Sequence, residues 1–218
     1  MNFFLAACPF FIIAIIHLIQ GLLEKHHAAN FTKILLMPSL ILAIFVSKKY
    51  LNNYGLFVIL ALVFATLGDK FLIKPVSKKN FLKGVFAFFL GHIFLLLCLF
   101  PLSKIWILPS WIIAIFVIIY GIIIFGSYNI LGTPKGFRGF AAVVYTAMLT
   151  LLGLTCLSAF IQRKDLQGLI LLIGSLFFMI SDSVLGFTIF KKDFPKSRFV
   201  IMSTYITAEF LLTYGILL

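Results

Sequence analysis

Three carboxylates stand where a carboxylate is costly: Asp69 in LGDKFL, Asp182 in SLFFMISDSVLGF and Glu209 in STYITAEFLL, each inside an otherwise apolar run. The other acids, Glu24, Asp165 and Asp193, lie at the edges of such runs or in basic loops, where water or a nearby lysine accounts for them. An ionised carboxylate at the centre of a bilayer costs on the order of 3 kcal/mol, so a chain that keeps one turns it toward the bundle interior or a wet cavity. His92, Tyr145 and Tyr205 share the same kind of apolar setting, Ser181 precedes Asp182, and Lys33, Lys70 and Lys74 stand near the ends of runs.

Three chemistries use these residue types. A carboxylate pair, oriented by Tyr and His, performs general acid/base catalysis and calls for no metal or cofactor. Asp69, His92, Asp182 and Glu209 could instead be zinc ligands in a hydrolase acting on lipid amides or esters. Buried acids in a helical bundle are also the mark of a proton-coupled transporter. Plainer roles stand beside these. Asp69 could pair with Lys70 at the interface and Asp182 could bond a neighbouring helix. His92 could be an interhelical donor, the tyrosines packing residues, and Glu209 a neutral interhelical bond. The His26-His27 pair diverges on a helix and is a poor metal site.

The elements that must position these side chains follow from composition. Of 218 residues 63% are hydrophobic and 11% charged, with 27 Phe. Apolar runs of about 20 residues separated by short Lys-rich loops read as transmembrane helices. Eight spans can be drawn at about 3–23, 32–47, 55–73, 81–100, 104–125, 138–161, 167–190 and 199–218. The expected fold is an all-α polytopic bundle of eight transmembrane helices, a single membrane domain with no soluble domain left over. The second span is short, and brief connections make neighbours antiparallel. The N-terminus lacks the basic region of a secretory signal and reads as a retained first span.

The net charge of +12 is carried by short clusters between apolar runs, which meet lipid headgroups and not nucleic acid. Cys8, Cys98 and Cys156 fall within apolar runs without CxxC spacing and read as small hydrophobes. With eight spans, thirteen Lys and Arg lie on the face opposite the termini and five on the other. The positive-inside rule then places the richer loops in the cytoplasm and both termini outside, in a multi-pass protein of the bacterial inner-membrane type.

PFFIIAIIHLIQG (9–21) and PSWIIAIFVIIYG (109–121) echo each other, and LGDKFL (67–72) echoes ISDSVL (180–185), aligning Asp69 with Asp182. Either Ile/Ala-rich helices match by chance, or the chain is two parallel four-helix halves with a site where they meet. Helix rise puts Asp69 roughly 6 Å and Asp182 roughly 12 Å below the cytoplasmic boundary. Tyr145 and Tyr205 are at similar depths, with His92 and Glu209 nearer the middle. Five spans thus place polar groups in one half of the membrane, as a cavity open to the cytoplasmic leaflet requires.

Six stretches, TKILLMPSL (32–40), LGDKFL (67–72), GVFAFFLGHIFLL (84–96), LGTPKGFRGFAAVVYTAML (131–149), GSLFFMISDSVLGF (174–187) and STYITAEFLL (203–212), carry a family likeness in their order and spacing. The chain resembles the YhhN family of integral-membrane lysoplasmalogenases along nearly its whole length. It departs at Glu209, where the family more usually has Gln. The resemblance implies hydrolysis of the vinyl-ether bond of a lysoplasmalogen, with a lysophospholipid substrate and bilayer lipid as the partners. Asp69 and Asp182 are the family-matched acids. An enol ether hydrolyses by protonation at carbon and attack of water on the resulting oxocarbenium ion, so it needs a proton donor and an anion. The expectation is Asp182 as the acid and Asp69, nearer water and Lys70, as the anion that orients water, though coupled acids leave the reverse open. Tyr205, Tyr145 and His92 would orient them, and Lys33, Lys70 and Lys74 would meet the lipid phosphate.

Overall fold

A computed structural model describes residues 3–47, 53–73, 77–105, 108–119 and 136–218. The described residues form α1 (Phe3–Ala6), α2 (Cys8–Leu22), α3 (His26–Ser47), α4 (Asn53–Phe71) and α5 (Lys78–Leu99). A 3₁₀ turn at Phe100–Leu102 follows. After it come α6 (Ser110–Ile119 among the described residues), α7 (Phe137–Arg163), α8 (Leu166–Phe190) and α9 (Ser197–Leu217). The architecture is an all-helical bundle. Six helices, α3, α4, α5, α7, α8 and α9, are long and apolar enough to cross a membrane, while α2 and α6 are shorter. At about 1.5 Å per residue, the 22 residues of α3 reach the length of a bilayer core.

Two segments differ from the sequence reading. The first is broken at Ala7, and α2 restarts with Pro9 in its first turn, where a missing N–H deprives the helix of nothing. The second begins at His26 and is longer than the hydropathy run, because HHAANFTK is polar yet free of helix breakers.

Short links set antiparallel neighbours. Glu24, Lys164 and Lys196 each take left-handed backbone angles between consecutive helices. Asp165 caps α8 by accepting from the Gly168 N–H at 2.8 Å, and Ser77 caps α5 by accepting from Asn80 at 3.1 Å. The capping bond and the neighbouring Arg163 hold the Asp165 carboxyl below the usual carboxylate range.

The helices pack in chain order, α2 on α3, α3 on α4, α4 on α5, α5 on α7, α7 on α8 and α8 on α9, and α9 closes the ring against α2. α4 also reaches α9 across the interior. Gly21 of α2 meets the Phe199 backbone at this closure. Rings seal it further along: Phe210 of α9 lies 5.9 Å from Phe10 and 4.8 Å from Phe11. α9 is the most enclosed of the long helices, with 12 of its 21 residues buried. That explains why its polar residues become interior groups. Large apolar side chains such as Ile12, Ile15, Trp111, Val117, Phe140, Leu176 and Ile180 point outward, which suits lipid as solvent and not water.

Candidate active site

The polar residues of the interior are delivered by six helices, α3, α4, α5, α7, α8 and α9. Lys33 stands two turns into α3 and Asp69 in the last turn of α4. These chains run antiparallel, so the two side chains meet: Lys33 Nζ lies 3.1 Å from Asp69 Oδ1. The Asp69 side chain is only 2% exposed, and its Oδ2 has no hydrogen bond among the described residues. Lys70 follows Asp69 but is exposed, one helical step away from the interior. The expected Asp69–Lys70 association is therefore replaced by a link from α4 to α3. Lys74 lies outside the described residues.

α9 supplies Tyr205 and Glu209, one turn apart and both buried. The Tyr205 phenol sits within electrostatic reach of Asp69, Glu209 and Asp182, with its hydroxyl turned toward the carboxylates. Phe88 and Phe178 pack edge-on against its ring, with centroids 6.1 and 5.7 Å away.

On the other side, the Tyr145 hydroxyl of α7 donates to Oδ2 of Asp182 on α8. Asp182 is half-buried and Asp69 almost wholly buried, the reverse of the exposure expected from helix depth. Distance along a helix does not include how tightly neighbours close around it. Asp182 is within electrostatic reach of both Asp69 and Lys33, which joins the two halves of the cluster. His92 of α5 is 1% exposed, with its ring edge-on to Tyr145 at 5.6 Å and to Phe178 at 4.7 Å. Its Nδ1 lies 2.6 Å from the Phe88 carbonyl, which only accepts, so Nδ1 carries the proton. In the neutral ring Nε2 is then a bare acceptor, and it has no partner among the described residues.

Ser181 does not join this group. Its hydroxyl donates to the Ile201 carbonyl at 3.0 Å and ties α8 to α9. The zinc alternative fares differently: among the described residues no three His, Cys, Asp or Glu side chains gather as a metal site, so Asp69, His92, Asp182 and Glu209 do not form the ligand set it required.

Several contributors escaped the sequence reading. Lys33 was a candidate for lipid phosphate, and nothing in its spacing announced Asp69 as its partner. Gly68 permits the close approach of α4 to α5; a Cβ there would fall 2.6 Å from the Phe88 ring. A small residue beside a buried acid was the available signal. His17 and Asn30 were unmarked and Arg198 counted only among the loop cations, although all three line one cleft of the ring.

Outward apolar faces around an enclosed cluster of Lys, Asp, Tyr, His and Glu define a multi-pass α-helical membrane protein with a buried polar centre. The chain matches the YhhN family model over residues 28–216, which takes in every residue of that centre. It belongs to the YhhN family. No curated protein and no solved structure matches it.

Proposed function

We propose that the chain is a membrane hydrolase of the lysoplasmalogenase type, splitting the vinyl ether of a lysophospholipid into a fatty aldehyde and a glycerophospho-headgroup. One observation carries this reading: two aspartates held differently, Asp69 by a lysine and Asp182 by a phenol, within one polar cluster among helices long enough to cross a membrane.

The Lys33 ammonium sits against one oxygen of Asp69 and offsets its charge. Tyr145 occupies one oxygen of Asp182, leaving the other to carry a proton toward the substrate. Asp182 protonates the alkenyl carbon beta to the ether oxygen, and the C=C electron pair becomes the new C–H bond. The carbon alpha to oxygen is then an oxocarbenium ion, stabilised by nearby carboxylate charge. Asp69 takes a proton from a water that adds to that carbon, with the Tyr205 hydroxyl orienting the water. The resulting hemiacetal collapses when Asp182 removes its hydroxyl proton and Asp69 returns a proton to the departing glycerol oxygen. Both acids regain their starting states, and one water has been consumed.

The excess of Lys and Arg in the loops opposite the termini supports a centre in the cytoplasmic half of the bilayer. The deciding experiment measures aldehyde release from lysoplasmenyl-ethanolamine by purified Asp69→Asn and Asp182→Asn proteins that remain folded. Loss of a general acid or base removes roughly 100-fold or more of the rate. Turnover near that of the parent in either variant would remove that residue from the mechanism.

A further inference from the structure

A cleft of about 50 Å³ opens at the cation-rich end of the ring, lined by His17 and Gly21 of α2, Asn30 and Lys33 of α3, Ile73 beyond α4, and Arg198 of α9, with apolar side chains from α8 and α9 completing it. Two cations thus face one small space. Lys33 is shared with Asp69. Arg198 is half-buried at the start of α9, and its guanidinium donates to the Asn30 amide oxygen at 3.3 Å. Asp193 is within its electrostatic reach. A guanidinium carries five donors in a fork, more than the Asn30 oxygen can engage. The His17 wall is fixed in turn: the Thr32 hydroxyl lies 2.8 Å from both His17 Nδ1 and Gln20 Oε1.

We propose that this cleft binds a phosphate ester, with Arg198 as its anchor and Lys33 bridging between the phosphate and Asp69. A guanidinium fork matches phosphate oxygens in geometry and charge, and Lys33 supplies the second positive point. The mixed lining suits an amphipathic molecule: phosphate at Arg198, glycerol and the start of the chain along Leu18, Leu185 and Met202. Taking the occupant as the headgroup of the substrate rests on the hydrolase reading above. In that setting the bound phosphate draws on the same ammonium that holds Asp69, which links headgroup recognition to the catalytic pair.

Binding separates this idea from the chemistry. The purified protein in detergent is titrated with a lysophosphatidylethanolamine ester, which has the headgroup but no vinyl ether, and with the matching monoacylglycerol. The parent protein prefers the phospholipid. Arg198→Gln weakens phospholipid binding roughly 10- to 100-fold, the range of a lost charge-assisted contact, and abolishes the preference. Arg198→Lys recovers part of it. Asn30→Asp, which sets a negative charge beside Arg198, gives the same loss by a second route. Arg163→Gln, in the exposed pair with Asp165, keeps the preference. Competition by glycerol 3-phosphate marks a site that takes free phosphate esters, and lack of competition with the Arg198 dependence intact marks a site for lipid. Equal binding of both lipids by the parent, or unchanged phospholipid binding in Arg198→Gln, overturns the proposal. Neither ligand is cleaved, so a protein that releases no aldehyde can still pass this test, and one that does can fail it.

Discussion

Lys33 on α3 and Asp69 on α4 are 36 residues apart in sequence and 3.1 Å apart in space, with Asp69 almost sealed from the exterior. An ion pair so placed has a lopsided energetics. Its two charges offset each other's desolvation, and removing one leaves the other stranded. Lys33→Met should therefore destabilise the protein by about 3 kcal/mol or more. Lys33→Met with Asp69→Leu should recover much of that loss while remaining inactive. Unfolding in detergent micelles measures both, and a single variant as stable as the parent would show that the pair carries no such strain.

Tyr145 fixes Asp182 through a hydrogen bond from its hydroxyl. Tyr145→Phe retains the ring against His92 but removes that donor. A hydrogen bond to a carboxylate contributes about 1.5–3 kcal/mol, so aldehyde release should fall roughly 10- to 100-fold with little change in folding. Undiminished turnover would separate Tyr145 from the acid.

Gly68 tests how closely α4 must approach α5. A methyl group there meets the Phe88 ring at 2.6 Å, and Phe88 supports Tyr205. Overpacking of this kind costs about 1–3 kcal/mol, so Gly68→Ala should lower both stability and turnover. Gly186→Ala meets nothing within 4 Å and should be neutral or slightly stabilising, since Ala is the better helix former. A thermal melt of the two proteins side by side distinguishes them.

Ser181 and Asp182 are adjacent yet point to different tasks. Ser181→Ala loses one bond between α8 and α9, worth about 1 kcal/mol, and should keep its turnover. Asp182→Asn should do the opposite, losing turnover while melting near the parent temperature. A Ser181→Ala protein that is stable but inactive would place the serine in the site after all.

Asp165 provides a pH-dependent contribution outside the membrane-spanning helices. Its acidity is enhanced in the folded protein by the Gly168 N–H and Arg163. A carboxyl held lower when folded than when unfolded stabilises the fold above its unfolded value, and the benefit fades as pH falls through the folded value. Asp165→Ala should thus lower the melting temperature at neutral pH, and the difference from the parent should shrink in strong acid. A constant difference across pH would assign the effect to something other than the charge.

Much of the architecture was legible because lipid is an unforgiving solvent. Long apolar runs such as 167–190 have one stable form there, a helix with all its backbone bonds internal. The acids stood out for the same reason: Asp69, Asp182 and Glu209 had to be inside the bundle because no outward position suits them. The break at Ala7 was less visible, since Pro9 is tolerated equally at a helix start and in a kink.

What hydropathy could not supply was lateral arrangement. Helix rise gives depth along an axis, but the angle at which each helix faces its neighbours depends on side-chain packing summed over the whole ring. That packing turned Asp69 to Lys33 and away from Lys70, set Tyr145 on Asp182, and spent Ser181 on the α9 backbone. The chain by itself marked which acids must lie inside a bundle; only the closed ring of helices decided which charge meets which, because pairing is a short-range contact between residues that sequence holds far apart.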